Sequence, residues 1–464
     1  MQRILHVEEI LELLINKKKH DVGKVADVLP FSSRRSKAIR GNFNDILGEY
    51  IRKICGTKLK KAKLKDDLNY SENPLVEQII KEVECGDDEK YDLKRFLEQY
   101  LFSQGEEIKP IHPYLFNYVP IANSKHEGEL KKHSQFLKDT LIKEEEAVIN
   151  VFNNKETEDI LTELILSKLD TLETKPQEAQ YQSTFDVLAN YYREDLLFLS
   201  KHKDYFLSTF PLLTHFYSFM YICQVLLKFE RFEEADYSKA DPLYFALEWE
   251  SISKRRKPAD ELDGFKRVKD RAQNLFVHVH TISQLSHNAY NMEEGVGNET
   301  LRFMNYKELH DIVVHEGKEE AFLQDVKAWI VAYSNWAGVT PKEEPGNLPQ
   351  AYRTLFNCVK DGTSTEVAFK FGQNIEDVGA ALFLKNRGSL GQVLNMNHET
   401  LLLITALCVK DKRIPLNQLF EEYEKRGIAF DRYSKKEIMD LLDSLNILDK
   451  KSDSGDAQYV KPIL

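Results

Sequence analysis

The 464-residue sequence lacks the short motifs that identify most enzymes. It has no G-x-x-x-x-G-K-[ST] loop for nucleotide phosphates, no G-x-S-x-G, no H-E-x-x-H and no catalytic cysteine signature. The five cysteines show no C-x-x-C spacing, and several lie in apolar helical patterns as small buried residues do. We therefore expect a chain without catalytic residues, metal, cofactor or small-molecule substrate, in a reducing, cytoplasmic location.

The first residues also lack the apolar run of an export signal, because Glu8 and Glu9 interrupt it. One segment, Tyr205 to Leu227, has no charged residue and is about as long as a membrane span. It contains Pro211 and His215, and its apolar residues are largely aromatic. We expect a buried central helix or helix pair there, and no membrane partner.

The net charge of −11 conceals an uneven distribution. Residues 1–65 hold 16 Lys or Arg and 7 Asp or Glu, a balance of +9 that leaves −20 for the remainder. A basic stripe on an acidic protein attracts nucleic-acid phosphates without reading sequence. A solvated face that pairs with an acidic surface is the alternative, and the sequence leaves both open. The candidate phosphate-binding residues are Lys17, Lys18, Lys19, Arg34, Arg35, Lys37, Arg40, Lys58, Lys60, Lys61, Lys63 and Lys65.

Apolar residues at helical spacing dominate from Ser71 to about Gly338, which predicts a mainly α fold. The dense aromatic stripe between Tyr191 and Tyr221 is typical of a core, with a base-stacking surface as the minor alternative. We predict four regions: a basic helical region at 1–70, a helical central domain at 71–345, a mixed connecting region at 346–395, and a C-terminal domain at 396–464.

The last region has the element order of a winged-helix domain, a helix-turn-helix variant. A helix follows Asn397 as N-cap, Ile414 and Pro415 suggest a short strand, and a second helix closes at Gly427. Ser434 begins a capping box for a third helix, and two extended segments around residues 453–456 suggest a hairpin. We expect this region to form the wing and the groove-facing helix.

The predicted third helix and hairpin carry cations that could contact phosphates. These are Arg432, Lys435, Lys436, Lys450 and Lys451. Asp440 and Asp443 lie on the outward face of the same helix, and further aspartates surround the hairpin. Because carboxylates repel phosphates, sequence-specific reading is disfavoured, and weak backbone binding or docking of a protein remain as alternatives.

Two further patterns carry weaker chemical hypotheses. His278 and His280 would point about 200° apart on a helix, so they cannot share a metal from one face. Acid-x-Lys triplets, which occur in Mg²⁺-dependent nucleases, are found at 107–109, 129–131 and 316–318. Such triplets also arise by chance in a chain with 30% charged residues, and none follows an obvious strand.

Several long segments resemble the DptG family, also called DndG. They are Asn397–Cys408, Phe430–Lys435, Lys451–Val460, Asp241–Phe245 and Trp249–Lys254. The resemblance covers roughly the C-terminal half of the chain and leaves the basic region outside it. It implies a bacterial defence role in the restriction module of DNA phosphorothioation systems, which acts on foreign DNA lacking backbone sulfur. It also implies DptF and DptH as ATPase-bearing partners.

These observations lead to one main hypothesis and two alternatives. The main hypothesis is a non-catalytic subunit of a phosphorothioation-dependent restriction, anti-phage complex, which bridges the ATPase subunits and holds double-stranded DNA through its backbone. The alternatives are a Mg²⁺-dependent nuclease subunit of the same system and a winged-helix transcriptional regulator.

Overall fold

The computed structural model describes residues 3–23, 25–59, 74–81, 83–102, 109–121, 124–169, 172–252, 263–291, 300–450 and 458–464. This part of the chain is mainly α-helical, as the sequence predicts. The helices of the first half are α1 Val7–Lys17, α2 Leu47–Ile54, α3 Pro74–Lys81, α4 Asp87–Leu101, α5 Glu127–Leu137, α6 Glu146–Asn153, α7 Ile160–Ser167, α8 Asp186–Leu199 and α9 Lys203–Phe229. Those of the second half are α10 Phe265–Arg271, α11 Asn274–Leu285, α12 Tyr306–His315, α13 Glu319–Ala337, α14 Leu348–Gly362, α15 Thr365–Gly379, α16 His398–Val409, α17 Leu416–Lys425 and α18 Arg432–Ser444.

Short strands complete the described structure. They are β1 Thr57–Leu59, β2 Leu172–Thr174, β3 Leu243–Leu247, β4 Leu384–Asn386, β5 Gln392–Met396, β6 Ile414–Pro415, β7 Ile428–Ala429, β8 Leu448–Lys450 and β9 Gln458–Val460. They form a β1-β2 pair, a four-stranded sheet in the order β4-β5-β3-β7, and a three-stranded antiparallel sheet in the order β6-β9-β8. Strand β3 runs parallel to β5 and β7 and is buried over all five residues, as an apolar central strand requires.

Helix α9 forms the centre of the molecule and confirms the prediction of a buried central helix. Its residues from Leu212 to Phe229 are all buried, and Pro211 lies within the helix. Among the described residues, α9 is the one helix long and apolar enough to cross a membrane, and 94% of its most apolar window is buried in the protein. The aromatic side chains of the predicted stripe, including Phe210, Phe216 and Tyr221, pack in the core.

The main hydrophobic core runs from Leu5 on the N-terminal segment to Val460 on β9. It therefore includes buried side chains from all four regions predicted from the sequence. A second, smaller cluster joins α3, α4, α7 and the 3-10 turn Pro113–Tyr118. The predicted regions are consequently in contact through continuous apolar packing, and β7 from the C-terminal region pairs with β3 from the central one.

The C-terminal helices begin and end largely where the sequence indicates. Asn397 caps α16 by accepting a hydrogen bond from the Thr400 N–H at 2.8 Å, and Gly427 after α17 has a φ of +81°. The prediction of Ser434 as an N-cap is wrong. Asp431 caps α18 through the N–H groups of Tyr433 and Ser434, while the buried Ser434 hydroxyl donates to Glu250 at 3.0 Å.

Candidate nucleic-acid interface

The N-terminal segment is held against α13 by backbone contacts. The N–H groups of Ile4 and Leu5 donate to the Asp325 carboxylate at 2.6 and 3.2 Å. At the other end of α1, His20 Nε2 lies 3.0 Å from the Gly362 carbonyl oxygen, and its Nδ1 lies 3.0 Å from the Tyr333 hydroxyl. The basic turn that follows α1 is therefore fixed next to the end of α14 and the start of α15.

Lys17, Lys18 and Lys19 are exposed in this turn, but their environments differ. The ammonium groups of Lys17 and Lys19 lie 4.0 and 3.3 Å from Asp21. Burial acts to raise the pKa of Asp21, but the Gly23 N–H and these two lysines outweigh it, so the pKa is lowered. Lys18 makes no ion pair with a described residue, and its φ of 52° places it in the left-handed region.

Arg35 and Arg40 meet at one buried carboxylate on α15. Arg35 donates through Nε and Nη2 to the two oxygens of Asp377, and Arg40 Nη1 lies 3.2 Å from the same group. The Asp377 side chain is 4% exposed, against 16% for Arg35 and 44% for Arg40. The hydrogen bonds that Arg35 donates to Asp377 raise the pKa of Arg35. Arg35 therefore acts first as an anchor for the basic loop, because its guanidinium is already bound.

Arg34 and Lys37 lie in the same loop and are exposed without an ion-pair partner among the described residues. Lys37 has a φ of 57°, which is uncommon for a residue with a side chain. Arg35 directly follows Arg34, and Arg40 lies three residues after Lys37, so the binding of both arginines to Asp377 holds the loop that carries the two free cations.

Each of the remaining N-terminal candidates either forms an ion pair or lies outside the described residues. Lys58 on β1 lies 3.0 Å from Glu173 on the paired strand β2, and its charge is matched there. Lys60, Lys61, Lys63 and Lys65 lie outside the described residues. Arg52 and Lys53, which belong to the basic stretch, both face Glu49, and Arg52 is buried with hydrogen bonds to the carbonyls of Asn117 and Val119.

The C-terminal candidates cluster at the start of α18. Arg432 donates to the Tyr433 hydroxyl at 2.6 Å, with its guanidinium 4.6 Å from that ring. The Lys435 ammonium lies 4.9 Å from the centre of the Phe420 ring, a cation–π contact, and Lys436 is exposed. None of these three makes an ion pair with a described residue. Lys450 is described only as part of β8, and Lys451 lies outside the described residues.

Acidic groups surround this second cluster. Asp440 and Asp443 are exposed on α18, and Asp449 on β8 faces Arg413 at 4.0 Å and Lys461 at 3.6 Å. The carboxylate of Asp449 is therefore shared by two cations and leaves part of their charge unmatched. The exposed carboxylates of α18 are the groups that oppose an approaching phosphate there.

The described part of the chain contains no assembled site for the metal or nuclease hypotheses. His278 is buried with Nε2 at 3.1 Å from Glu230 and Nδ1 at 3.2 Å from the Tyr306 hydroxyl. On α5, Glu129 is half-buried and Lys131 is exposed, and residues 316–318 form the turn between α12 and α13. Among the described residues, no group of three or more His, Cys, Asp or Glu side chains is placed to hold a metal ion.

Sequence reasoning did not identify Asp377 as the anchor of the basic loop. Arg35 and Asp377 are separated by 342 positions, and no local pattern distinguishes Asp377 from the neighbouring Glu376. The turn that carries Lys18 therefore lies near the start of α15, and the loop that carries Arg34 and Lys37 lies near its end. A 15-residue helix is about 22 Å long, so the two ends of α15 are separated by about two-thirds of one turn of B-form DNA.

Comparison with known proteins does not extend this description. No protein-family model matches the chain, and no curated protein matches it. The resemblance to the DptG family therefore stays a prediction, supported by the segments named above.

Proposed function

We propose that the chain is a non-catalytic, DNA-holding subunit of a cytoplasmic, phosphorothioation-dependent restriction complex of the DptG type. The observation that carries the DNA-holding part is the set of exposed cations Lys18, Arg34 and Lys37, which no described carboxylate neutralises. They belong to a segment with a balance of +9 in a chain of net charge −11. Phosphates are the ligand that such a surface attracts.

The placement of these cations suits a DNA backbone better than a base edge. They stand on loops at the two ends of α15, and no described helix presents them to a groove as a recognition element does. Contacts of this kind fix the position of a duplex without reading its sequence. The complex would then leave discrimination of the modified backbone to the DptF and DptH partners.

The C-terminal elements support a winged-helix assignment with a different role. Helices α16, α17 and α18 with the sheet β6-β9-β8 follow the winged-helix order, and β9 pairs with both β6 and β8. Because aspartates flank the cations of α18, we assign this unit to docking a protein partner, with only weak DNA contact.

A fluorescence-anisotropy titration of the full chain with duplex DNA across a salt series tests the DNA-holding part. We expect salt-sensitive binding that is equal for normal and phosphorothioate DNA. The variant Lys18→Gly/Lys37→Gly should bind more weakly, with a salt slope reduced by about 0.9 per lost contact. Glycine also relieves the positive φ at both positions, so the fold should be as stable as before or more so.

A control removes a half-buried lysine elsewhere that already has an ion-pair partner. Lys307→Ala takes away a cation that pairs with Asp311 on α12, and it should leave DNA binding unchanged. Unchanged DNA binding in Lys18→Gly/Lys37→Gly would contradict the proposal, because the unfolding temperature reports separately that the fold is intact. No binding by the unaltered chain would make the basic loop a protein-docking surface.

A further inference from the structure

Helices α1 and α13 together expose an apolar groove that no described element covers. The groove has a volume of about 580 Å³ and is open to solvent. Ile15 on α1 is 54% exposed and Val331 on α13 is 59% exposed. Leu11 and Trp336 line the groove between them. Exposed aliphatic side chains that gather in one groove mark an interaction site more often than single exposed residues do.

The two helices run side by side in the same direction. The start of α1 is fixed to Asp325 by the Ile4 and Leu5 N–H groups. Beyond the end of α1, the His20 ring lies 5.3 Å from the ring of Trp336, eleven residues further along α13. Val7, Leu11 and Ile15 follow each other at four-residue spacing, so they form one stripe along α1. This stripe and the exposed residues of α13 present a two-helix face.

Charge is distributed along α1 in a self-complementary order. Glu8, which pairs with Arg3 of its own chain, and Glu12 are exposed on the first half of α1. The helix ends at Lys17, and Lys18 and Lys19 follow it. A two-fold axis perpendicular to α1 at the level midway between Leu11 and Ile15 places Glu8 opposite Lys18 of a second copy. The same axis places Leu11 opposite Ile15 of that copy. An isologous contact requires such a reciprocal arrangement.

We propose that this face pairs two copies of the chain, with the α1–α13 helix pairs antiparallel across a two-fold axis. The apolar stripe forms the centre of the contact, and the acidic and basic ends of α1 close it on both sides. Two helix pairs joined in this way form a four-helix arrangement, which is a common geometry for packed helices. Lys18 takes part in both this contact and the proposed DNA contact, whereas Ile15 and Val331 belong to the pairing face alone.

Sedimentation velocity of the full chain over a range of concentrations tests the pairing. We expect a reversible change from monomer to dimer mass. Ile15→Glu and Val331→Glu each place a carboxylate in the centre of the contact, so each should weaken dimer formation at least about tenfold. Val314→Glu is the matched control, because Val314 is also an exposed valine on a neighbouring helix, at 43%. That variant should dimerise normally.

A charge-exchange experiment tests the antiparallel orientation itself. Glu8→Lys and Lys18→Glu should each weaken the dimer by roughly threefold to tenfold, since exposed ion pairs contribute little individually. Combining both substitutions in one chain restores opposite charges across the axis and should restore the dimer. A chain that stays monomeric at every concentration overturns the proposal. A dimer insensitive to Ile15→Glu and Val331→Glu overturns it equally.

Discussion

Both ends of the chain are tied to the central helices by an arginine–aspartate contact, but the two contacts differ in burial. At the C-terminal end, Arg426 donates to both oxygens of Asp195 on α8 at 2.8 and 2.7 Å, and the side chains are 2% and 0% exposed. At the N-terminal end, Arg35 and Arg40 share Asp377 and remain partly exposed. The C-terminal contact is part of the core, whereas the N-terminal one lies at its edge.

The two contacts also differ in whether they leave positive charge unmatched. Around Asp377, two arginines share one carboxylate, so the loop keeps a positive charge next to Arg34 and Lys37. Around Arg426, Asp195 and Glu422 both face the guanidinium, so no positive charge is left over. The N-terminal end is therefore suited to bind an anion, and the C-terminal end is suited to hold a fixed fold.

The largest expected effect is loss of the buried C-terminal contact. Asp195→Ala leaves the Arg426 guanidinium buried without its main partner and removes the acceptor of the Tyr217 hydroxyl. Breaking one side of a buried pair costs about 3–5 kcal/mol of the free energy of unfolding. Urea denaturation followed by circular dichroism measures this change.

A double variant separates the charge from the packing. Asp195→Leu/Arg426→Met removes both charges, and we expect it to be clearly more stable than Asp195→Ala, because apolar replacements of a buried pair are often neutral. A loss of less than about 1 kcal/mol in the free energy of unfolding of Asp195→Ala would contradict the claim that the Arg426–Asp195 contact stabilises the core.

Loss of the N-terminal contact should cost less. Asp377→Ala releases Arg35 and Arg40, which can both reach solvent, so we expect a loss of about 1–3 kcal/mol in the free energy of unfolding. The released arginines should also bind DNA more tightly at low salt if the loop holds phosphates. Anisotropy and denaturation on the same variant report both effects, and weaker DNA binding with an intact fold would contradict the role given to this loop.

Acid should destabilise the core beneath the N-terminal contact. Burial lowers the pKa of His133 to about 3 and that of His215 to about 4. In the unfolded chain both imidazoles bind a proton below about pH 6.5, while in the folded chain they stay neutral to about pH 4. The unfolded state therefore gains protons first, and stability falls as the pH decreases from about 6.5 to 4.

The expected slope is about 1.4 kcal/mol per pH unit for each of these histidines. Denaturation of His215→Gln between pH 7 and 4 should show a slope reduced by about one such contribution, since glutamine has no proton to gain. The neutral side chain also retains a donor for the Val378 carbonyl, which His215 Nε2 approaches at 2.6 Å. An unchanged slope would contradict the assignment of acid sensitivity to this ring.

The smallest expected effect concerns DNA binding by the C-terminal cations. Lys435→Glu should weaken DNA binding less than Lys37→Glu does at the same salt concentration. The reason is that the exposed carboxylates of Asp440 and Asp443 on α18 oppose phosphates, whereas the N-terminal loop keeps a positive balance. Anisotropy measures both variants, and a larger loss for Lys435→Glu would move the DNA contact to the C-terminal unit.

Local patterns predicted the elements well where local chemistry decides them. The spacing of apolar residues predicts α16, α17 and α18, and Asn397 and Gly427 act as the cap and the left-handed terminator that their side chains favour. Ser434 was misplaced because the helix begins three residues earlier than predicted, where the Asp431 carboxylate accepts from the Tyr433 and Ser434 N–H groups. The hydroxyl instead meets Glu250, a partner that sequence distance conceals.

The sequence predicted the candidate site only as a region rich in basic residues. A count of charges identifies residues 1–65 as basic, but it cannot separate Lys18, Arg34 and Lys37 from Lys58 and Arg35. That separation depends on Glu173 and Asp377, which the fold brings from distant positions. Whether a cation is free is therefore a property of its neighbours in space.

The sequence by itself determined the mainly α fold, the buried aromatic helix α9 and the positive N-terminal segment. Each of these depends on residue type and spacing over a short stretch of chain. Only the tertiary structure decided the pairing of β3 with β7, the contact of Arg426 with Asp195, and the groove between α1 and α13. Those features join residues far apart in the chain, and their energies arise from burial and contact that no local pattern encodes.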